Sequence, residues 1–445
     1  MTIQKFSSYK ARALKGMPII PGDKSISHRA LMLGGIAIGE TIIHGLLEGE
    51  DCIHTADAMR AMGADIQNKG GVWHCHGVGI GGLQEPETII EMGNSGTSTR
   101  LLMGLVGGHN IAVTFNGDAS LSKRPMGRVI KPLEMMGAKI MSREDGRLPL
   151  TITGPQDTLN IEYELPVASA QVKSCVMLAG LSALGTTSVI EKTPTRDHTE
   201  NMLRAFGVSV EVEDLQDGVQ KISVTGGQDL TGTVVHVPSD PSSAAFPTVA
   251  ALIIEGSKIE MSNILMNDRR NGIYTTLIEM GADIEFKNER IESGEQVADL
   301  IVRGTNTLKG IDVPAARVPS MIDEFPILAV AASCAEGTTT MTGLEELRVK
   351  ESDRLLMMYQ GLKSCGVNLE MGEDWLTIHG HGKPPKGGAE VETALDHRIA
   401  MSFMVLGMAT SEAVTIDDVA PIKTSFPNFI DLMKGLGGSF MAKNG

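Results

Sequence analysis

The chain has 445 residues, 42% of them hydrophobic and only 4% aromatic, and its formal net charge is −15. That length exceeds one ordinary core and predicts two domains. The acidic balance argues against a general binder of nucleic acid or of anionic membranes, and no uninterrupted apolar stretch is long enough to cross a bilayer.

The opening segment MTIQKFSSYKARALKGMPII lacks the apolar core of a secretory signal and reads as a first strand or surface lead-in. Next comes PGDKSISHR, a capped helix start that places Lys24 and Arg29 where the helix dipole disfavours cations. The same design, a polar cap followed by an apolar helix, recurs along the chain. It appears in KSISHRALMLGGIA, NSGTSTRLLMGLVG, SAQVKSCVMLAGL, DPSSAAFPTVAALI, DEFPILAVAAS and DHRIAMSFMVLGMA. After each, a second helix-like stretch ends on a glycine that leads into a strand. These glycines are Gly63, Gly137, Gly207, Gly281, Gly366 and Gly437, and each fits a helix C-cap.

Six units of this length predict an α/β fold of two similar domains with three repeats each. The echo between IPGDKSISHRALMLGG and VPSDPSSAAFPTVAAL puts the domain crossings near residues 20 and 237. One domain then covers 21–237 and the other joins 1–20 to 238–445. If the repeated helices run the same way, their N-termini gather on one face of each domain and attract anions.

Basic residues recur at these helix starts and in the loops before them. They are Lys24, Arg29, Arg100, Lys123, Arg124, Arg128, Lys173, Arg196, Arg348, Lys350, Arg354 and Arg398. In an acidic protein this placement points to anionic small-molecule ligands, for which Arg offers a bidentate fork. The stretch LEELRVKESDR sets Glu351 among cations. Lys350 and Arg354 are spaced to share one face of a helix.

Three other motifs carry little. Gly77, Gly79 and Gly82 match GxGxxG, but LQEPE follows them where a helix would be needed. Trp73-His74-Cys75-His76 looks metal-like, but alternation on a strand puts the two histidines on one face and Cys75 on the other, so no zinc site is expected. The five scattered cysteines form no CxxC pair, which predicts reduced thiols in a cytoplasmic protein.

The ordered set PGDKSISHRA, NSGTSTR, GDASLSKRPMGR, SAQVKS, TRDHTE, SMIDEFP, ELRVKESDR, LDHRIAMSF and SFPNF resembles the 5-enolpyruvylshikimate-3-phosphate synthase family over about residues 15 to 440. SAQVK and RDHTE further resemble its class II branch, which includes glyphosate-tolerant members. The resemblance implies two domains of three βαβαββ units each, an inverse α/β barrel-like fold that closes on its substrates as a monomer. It also implies transfer of the enolpyruvyl group of phosphoenolpyruvate to the 5-hydroxyl of shikimate 3-phosphate, with no metal and no organic cofactor.

Carried onto this chain, the family pattern assigns Lys24, Ser25, Arg29, Ser169, Ala170, Gln171, Arg196, Asp323 and Lys350 to shikimate 3-phosphate. It assigns Lys24, Asn94, Gly96, Thr97, Arg124, Gln171, Arg354 and Arg398 to phosphoenolpyruvate. Attack of a hydroxyl on the enol ether needs a base, here Asp323, and an acid for the methylene, here Glu351, with Lys24 assisting. Glyphosate is the implied inhibitor, and Gly96 leaves more space than the Ala found there in some strongly tolerant relatives. Lys423 in KTSFP lies one residue off the family position and is not assigned. The sister transferase acting on a UDP-amino sugar is disfavoured, because the loop GDASLSKR has no cysteine.

Overall fold

The computed structural model describes residues 4–305 and 308–443. Contacts divide the chain after Pro21 and after Val237, giving one unit of Gly22–Val237 and another of Met1–Pro21 with Pro238–Gly445. Each unit carries three four-stranded sheets of a single design. A first strand pairs in parallel with a second, and two antiparallel strands complete the sheet. In Gly22–Val237, for example, Glu162–Glu164 lies parallel to Thr186–Glu191, followed by Gln220–Thr225 and Val210–Asp214. Parallel neighbours need a crossover, and in four of the six sheets the apolar helix of the repeat lies between them in the chain and supplies it.

The apolar inner helices are Lys24–Ile36, Gly96–Gly107 and Ala170–Gly180 in one unit. In the other they are Pro241–Ile253, Phe325–Cys334 and His397–Ala409. They are apolar nearly all round and therefore internal. Pro241–Ile253 is buried at every position. The outer helix of each repeat ends just before one of the six glycines singled out in the sequence, and all six adopt positive φ, from +87° to +113°. An L side chain would be strained there, so the turn into the following strand requires glycine.

Three strands come from far along the chain. Val234–His236 completes the sheet begun by Glu40–His44. Lys15–Gly16 pairs with Lys258–Leu265, and Phe6–Tyr9 is inserted between Val414–Ile416 and Ser439–Ala442. The chain therefore opens by completing two sheets whose remaining strands follow only after residue 257. No helix among the described residues is long and apolar enough to cross a membrane.

Inner helices approach closely where they meet. A Cβ on Gly104 would lie 2.3 Å from the carbonyl oxygen of Cys175 and 2.7 Å from its Cα, in the helix Ala170–Gly180. Backbone cannot yield as a flexible side chain can, so Gly104→Ala should cost about 1–3 kcal/mol. The expected result is a lower urea midpoint than wild type, with Gly127→Ala, where a Cβ meets nothing within 4 Å, as the neutral control.

Candidate active site

In Gly22–Val237 the first turns of the three inner helices touch. Each begins with a side-chain cap. Asp23 accepts from the Ile26 amide at 2.8 Å, Ser95 from Ser98 at 3.3 Å and Ser169 from Val172 at 3.4 Å. Gln171, in the first turn of the third helix, donates to Thr97 Oγ1 at 3.0 Å in the first turn of the second. Its Oε1 accepts from Arg100 Nη1 at 2.9 Å. Arg124 reaches the same turn from its loop, donating to Asn94 Oδ1 at 2.6 Å and Ser120 Oγ at 3.0 Å. Gly96 sits between the two arginines. A Cβ built on it would lie 3.0 Å from Arg100 Nη1 and 3.0 Å from Arg124 Nη1. Even a methyl group would crowd both, so two guanidinium groups and the start of a helix converge on this glycine, a setting that favours an anion.

Lys24 and Arg29, the ill-placed cations of the first helix, have different surroundings. Lys24 pairs with the buried carboxylate of Asp51. Arg29 is only 4% exposed. Its Nε donates to Thr199 Oγ1 and Nη2 to Ser174 Oγ, both at 2.8 Å, while Nη1 donates to the Ser25 carbonyl at 3.0 Å. Arg29 therefore ties three elements of this face together. Ser25, Ser169, Ala170 and Arg196 are partly exposed around them. Between Lys24 and Arg29, His28 is fully buried and bridges Thr55 Oγ1 at 2.9 Å and Ser98 Oγ at 3.1 Å. Burial, with Lys24 and Arg29 close by, holds its imidazole well below the usual range and so neutral.

The second unit gathers its charges around Arg354, which is 1% exposed. Its Nε donates to Asp396 Oδ2 at 2.8 Å, Nη1 to Asp323 Oδ1 at 3.1 Å, and Nη2 lies 2.5 Å from Glu351 Oε2. Lys350 Nζ reaches the same Asp323 oxygen at 3.3 Å. Arg398 donates to the Asp323 carbonyl at 3.1 Å and to Glu324 Oε1 at 3.5 Å. Glu324 also accepts from Ser242, which accepts from Arg270 at 3.0 Å. Burial alone would raise the Asp396 carboxyl, but Arg354 outweighs it and holds that carboxyl below its usual range. For Arg354 the three carboxylates likewise outweigh burial, so its charge is secure.

Two expectations need correction. Lys350 and Arg354 do not share a helix face. Asp353 caps the helix Arg354–Ser364 by accepting from Leu356 at 2.9 Å, so the helix starts at Arg354 and Lys350 ends the preceding 3₁₀ turn. Nor does Lys173 stand ready for a ligand, because it is wholly buried between Glu191 at 3.0 Å and Glu200 at 2.7 Å. Four residues of these two clusters stand outside the family assignments, namely Arg100, Asp51, Glu324 and Asp396. Arg100 and Asp396 lie inside motifs that were singled out. Glu324 likewise lies in SMIDEFP, and only Asp51 carried no signal short of the fold. Lys423 is exposed in a 3₁₀ turn. The stretch Gly77–Gly82 forms turns rather than a strand–helix junction.

The comparisons with known proteins agree with this picture. The family model described as EPSP synthase (3-phosphoshikimate 1-carboxyvinyltransferase) matches residues 9–433. A 3-phosphoshikimate 1-carboxyvinyltransferase of Paramagnetospirillum magneticum is 58% identical over 98% of this chain and 98% of its own. One of Parvibaculum lavamentivorans is 58% identical over 97% and 96%. Among solved structures, an EPSP synthase of Acinetobacter baumannii superposes with a TM-score of 0.87 at 48% identity, covering 99% of this chain and all of that one. The chain belongs to the EPSP synthase family and is a transferase.

Proposed function

We propose that the protein transfers the enolpyruvyl group of phosphoenolpyruvate to the 5-hydroxyl of shikimate 3-phosphate and releases inorganic phosphate. The observation that carries the catalytic assignment is the position of Asp323 and Glu351 on one guanidinium, that of Arg354. One buried cation fixes the two carboxyl groups that the chemistry needs.

The reaction divides into addition and elimination. Asp323 takes the proton of the 5-hydroxyl as its oxygen bonds to C2 of the enol ether, while Glu351 delivers a proton to C3. In the second step the bond from C2 to the phosphate oxygen breaks, Glu351 recovers a proton from C3, and the double bond reforms. Lys350 and Arg354, at 3.3 and 3.1 Å, stabilise the negative charge on Asp323. Lys24, Ser25, Arg29, Ser169, Ala170, Gln171 and Arg196 take shikimate 3-phosphate in this reading, with Arg29 acting from beneath the surface. The helix start at Gly96 between Arg100 and Arg124 takes part of phosphoenolpyruvate, helped by Asn94, Thr97, Arg354 and Arg398. The guanidinium groups offset repulsion between anionic reactants and align them. The proposal extends to a cytoplasmic monomer inhibited by glyphosate.

Purified protein given shikimate 3-phosphate and phosphoenolpyruvate should release phosphate without added metal. Release with a UDP-amino sugar as acceptor, and none with shikimate 3-phosphate, would overturn the reading. Glu351→Gln keeps the shape and removes the acid, so kcat should fall by about 10²–10⁴ with KM for both substrates little changed. Gly96→Ala presses a methyl group against both arginines. Its expected signature is a raised KM for phosphoenolpyruvate and weaker glyphosate inhibition, with KM for shikimate 3-phosphate nearly constant.

A further inference from the structure

Away from the arginines, histidines concentrate on one surface. Of 11 in the chain, four lie on the outward face of the sheet formed by Val234–His236, Glu40–His44, Val72–His76 and Asp65–Lys69. Alternation sends Thr41, Ile43, Trp73 and Cys75 into the core and leaves His44, His74, His76 and His236 outside. His44 and His236 stack across their parallel strands at 4.9 Å. His74 and His76 converge instead on a single carboxylate oxygen. Glu40 Oε1 lies 2.7 Å from His74 Nδ1 and 3.6 Å from His76 Nε2. His76 also has Asp65 directly opposite it on the other neighbouring strand.

We propose that His74, His76 and Glu40 form a binding site for a divalent transition-metal ion of the zinc or copper class, with Asp65 beside it as a further oxygen donor. Two imidazoles and a carboxylate suit such ions, whereas calcium and magnesium prefer oxygen ligands alone. One pair already has the spacing an ion needs, while the nitrogens of His74 and His76 are more than 4.8 Å apart and His76 must turn to complete the set. Nitrogen and oxygen ligands sit about 2.0–2.2 Å from zinc, so ligand atoms roughly 3 Å apart can share one ion. The His74–Glu40 pair already meets this, and His76, with half its side chain exposed, has room to turn inward. Bound metal would replace the shared proton and clip together the second and third strands of this repeat.

The fold contains its own comparison. The fifth repeat carries a second His-x-His, His379 and His381, with Glu336 opposite His381 as Glu40 is opposite His76. There Glu336 pairs with Lys309, and Glu370 lies 3.5 Å from His379. A lysine occupies the carboxylate that an ion would need, so the same spacing in the fifth repeat should not bind.

Full-length protein, stripped with chelator, is titrated calorimetrically with zinc chloride. Copper(II) paramagnetic resonance then reports the ligand nitrogens. The expected result is one zinc ion per chain, a rise in Tm of a few degrees at saturation, and a copper spectrum with nitrogen couplings. His76→Ala and Glu40→Gln, both at partly exposed surface positions, should each weaken binding at least about tenfold and remove the Tm rise, while His381→Ala changes neither. Absence of zinc binding overturns the proposal. So does binding that survives both His76→Ala and Glu40→Gln, or that is lost on His381→Ala instead.

Discussion

The inner helices of both units are buried along nearly their whole length, so only their first turns can take part in chemistry. That constraint shapes everything at the candidate site. A helix start carries unsatisfied N–H groups and a partial positive charge. Here five of the six starts are first satisfied by a side chain, Asp23, Ser95, Ser169, Asp240 or Asp396. In the fifth repeat Glu324 occupies the cap position without such a bond. The two units then use their starts differently. In Gly22–Val237 the charged groups around the caps are mainly cations, and the face is anion-seeking. In the other unit the caps are acidic, and the cations Arg270, Arg354 and Arg398 are bound to them.

Arg354 shows why the second arrangement works. A guanidinium shut away from water is expensive unless every fork of it is met, and removing one partner of a buried pair is far more costly than an exposed ion pair is worth. Asp396 meets Nε and Nη2, Asp323 meets Nη1, and Glu351 shares Nη2. The cap of one inner helix, a residue beside the start of another and a residue just ahead of an outer helix are thereby fixed to one planar group. Positions far apart in sequence acquire a shared geometry that no single element would impose.

How much of this was legible beforehand depended on the range of the interactions. The six glycines and the polar caps are local devices, set by one turn of backbone, and they could be read directly. So could the shared face of His74 and His76, because strand alternation is local too. The family motifs carried the site lists, including Asp323, Glu351 and Arg354. What could not be read was non-local or decided by one residue. Lys350 and Arg354 had helical spacing, but Asp353 as cap moved the helix start past Lys350. Lys173 resembled Arg124 as a basic residue near a helix start, and only the fold shows that Glu191 and Glu200 enclose it. The contact of Gln171 with both Thr97 and Arg100 joins segments more than seventy residues apart.

The strand Phe6–Tyr9 adds a consequence for synthesis. It leaves the ribosome some four hundred residues before its partners in the sheet, Val414–Ile416 and Ser439–Ala442. Gly22–Val237 has every strand of its three sheets available once residue 237 has emerged, and can fold while translation continues. The other unit cannot, because closing a loop of some four hundred residues must await the synthesis of Ser439–Ala442. Until then an edge strand is exposed without its neighbours, and the nascent chain depends on whatever keeps that edge from pairing with another.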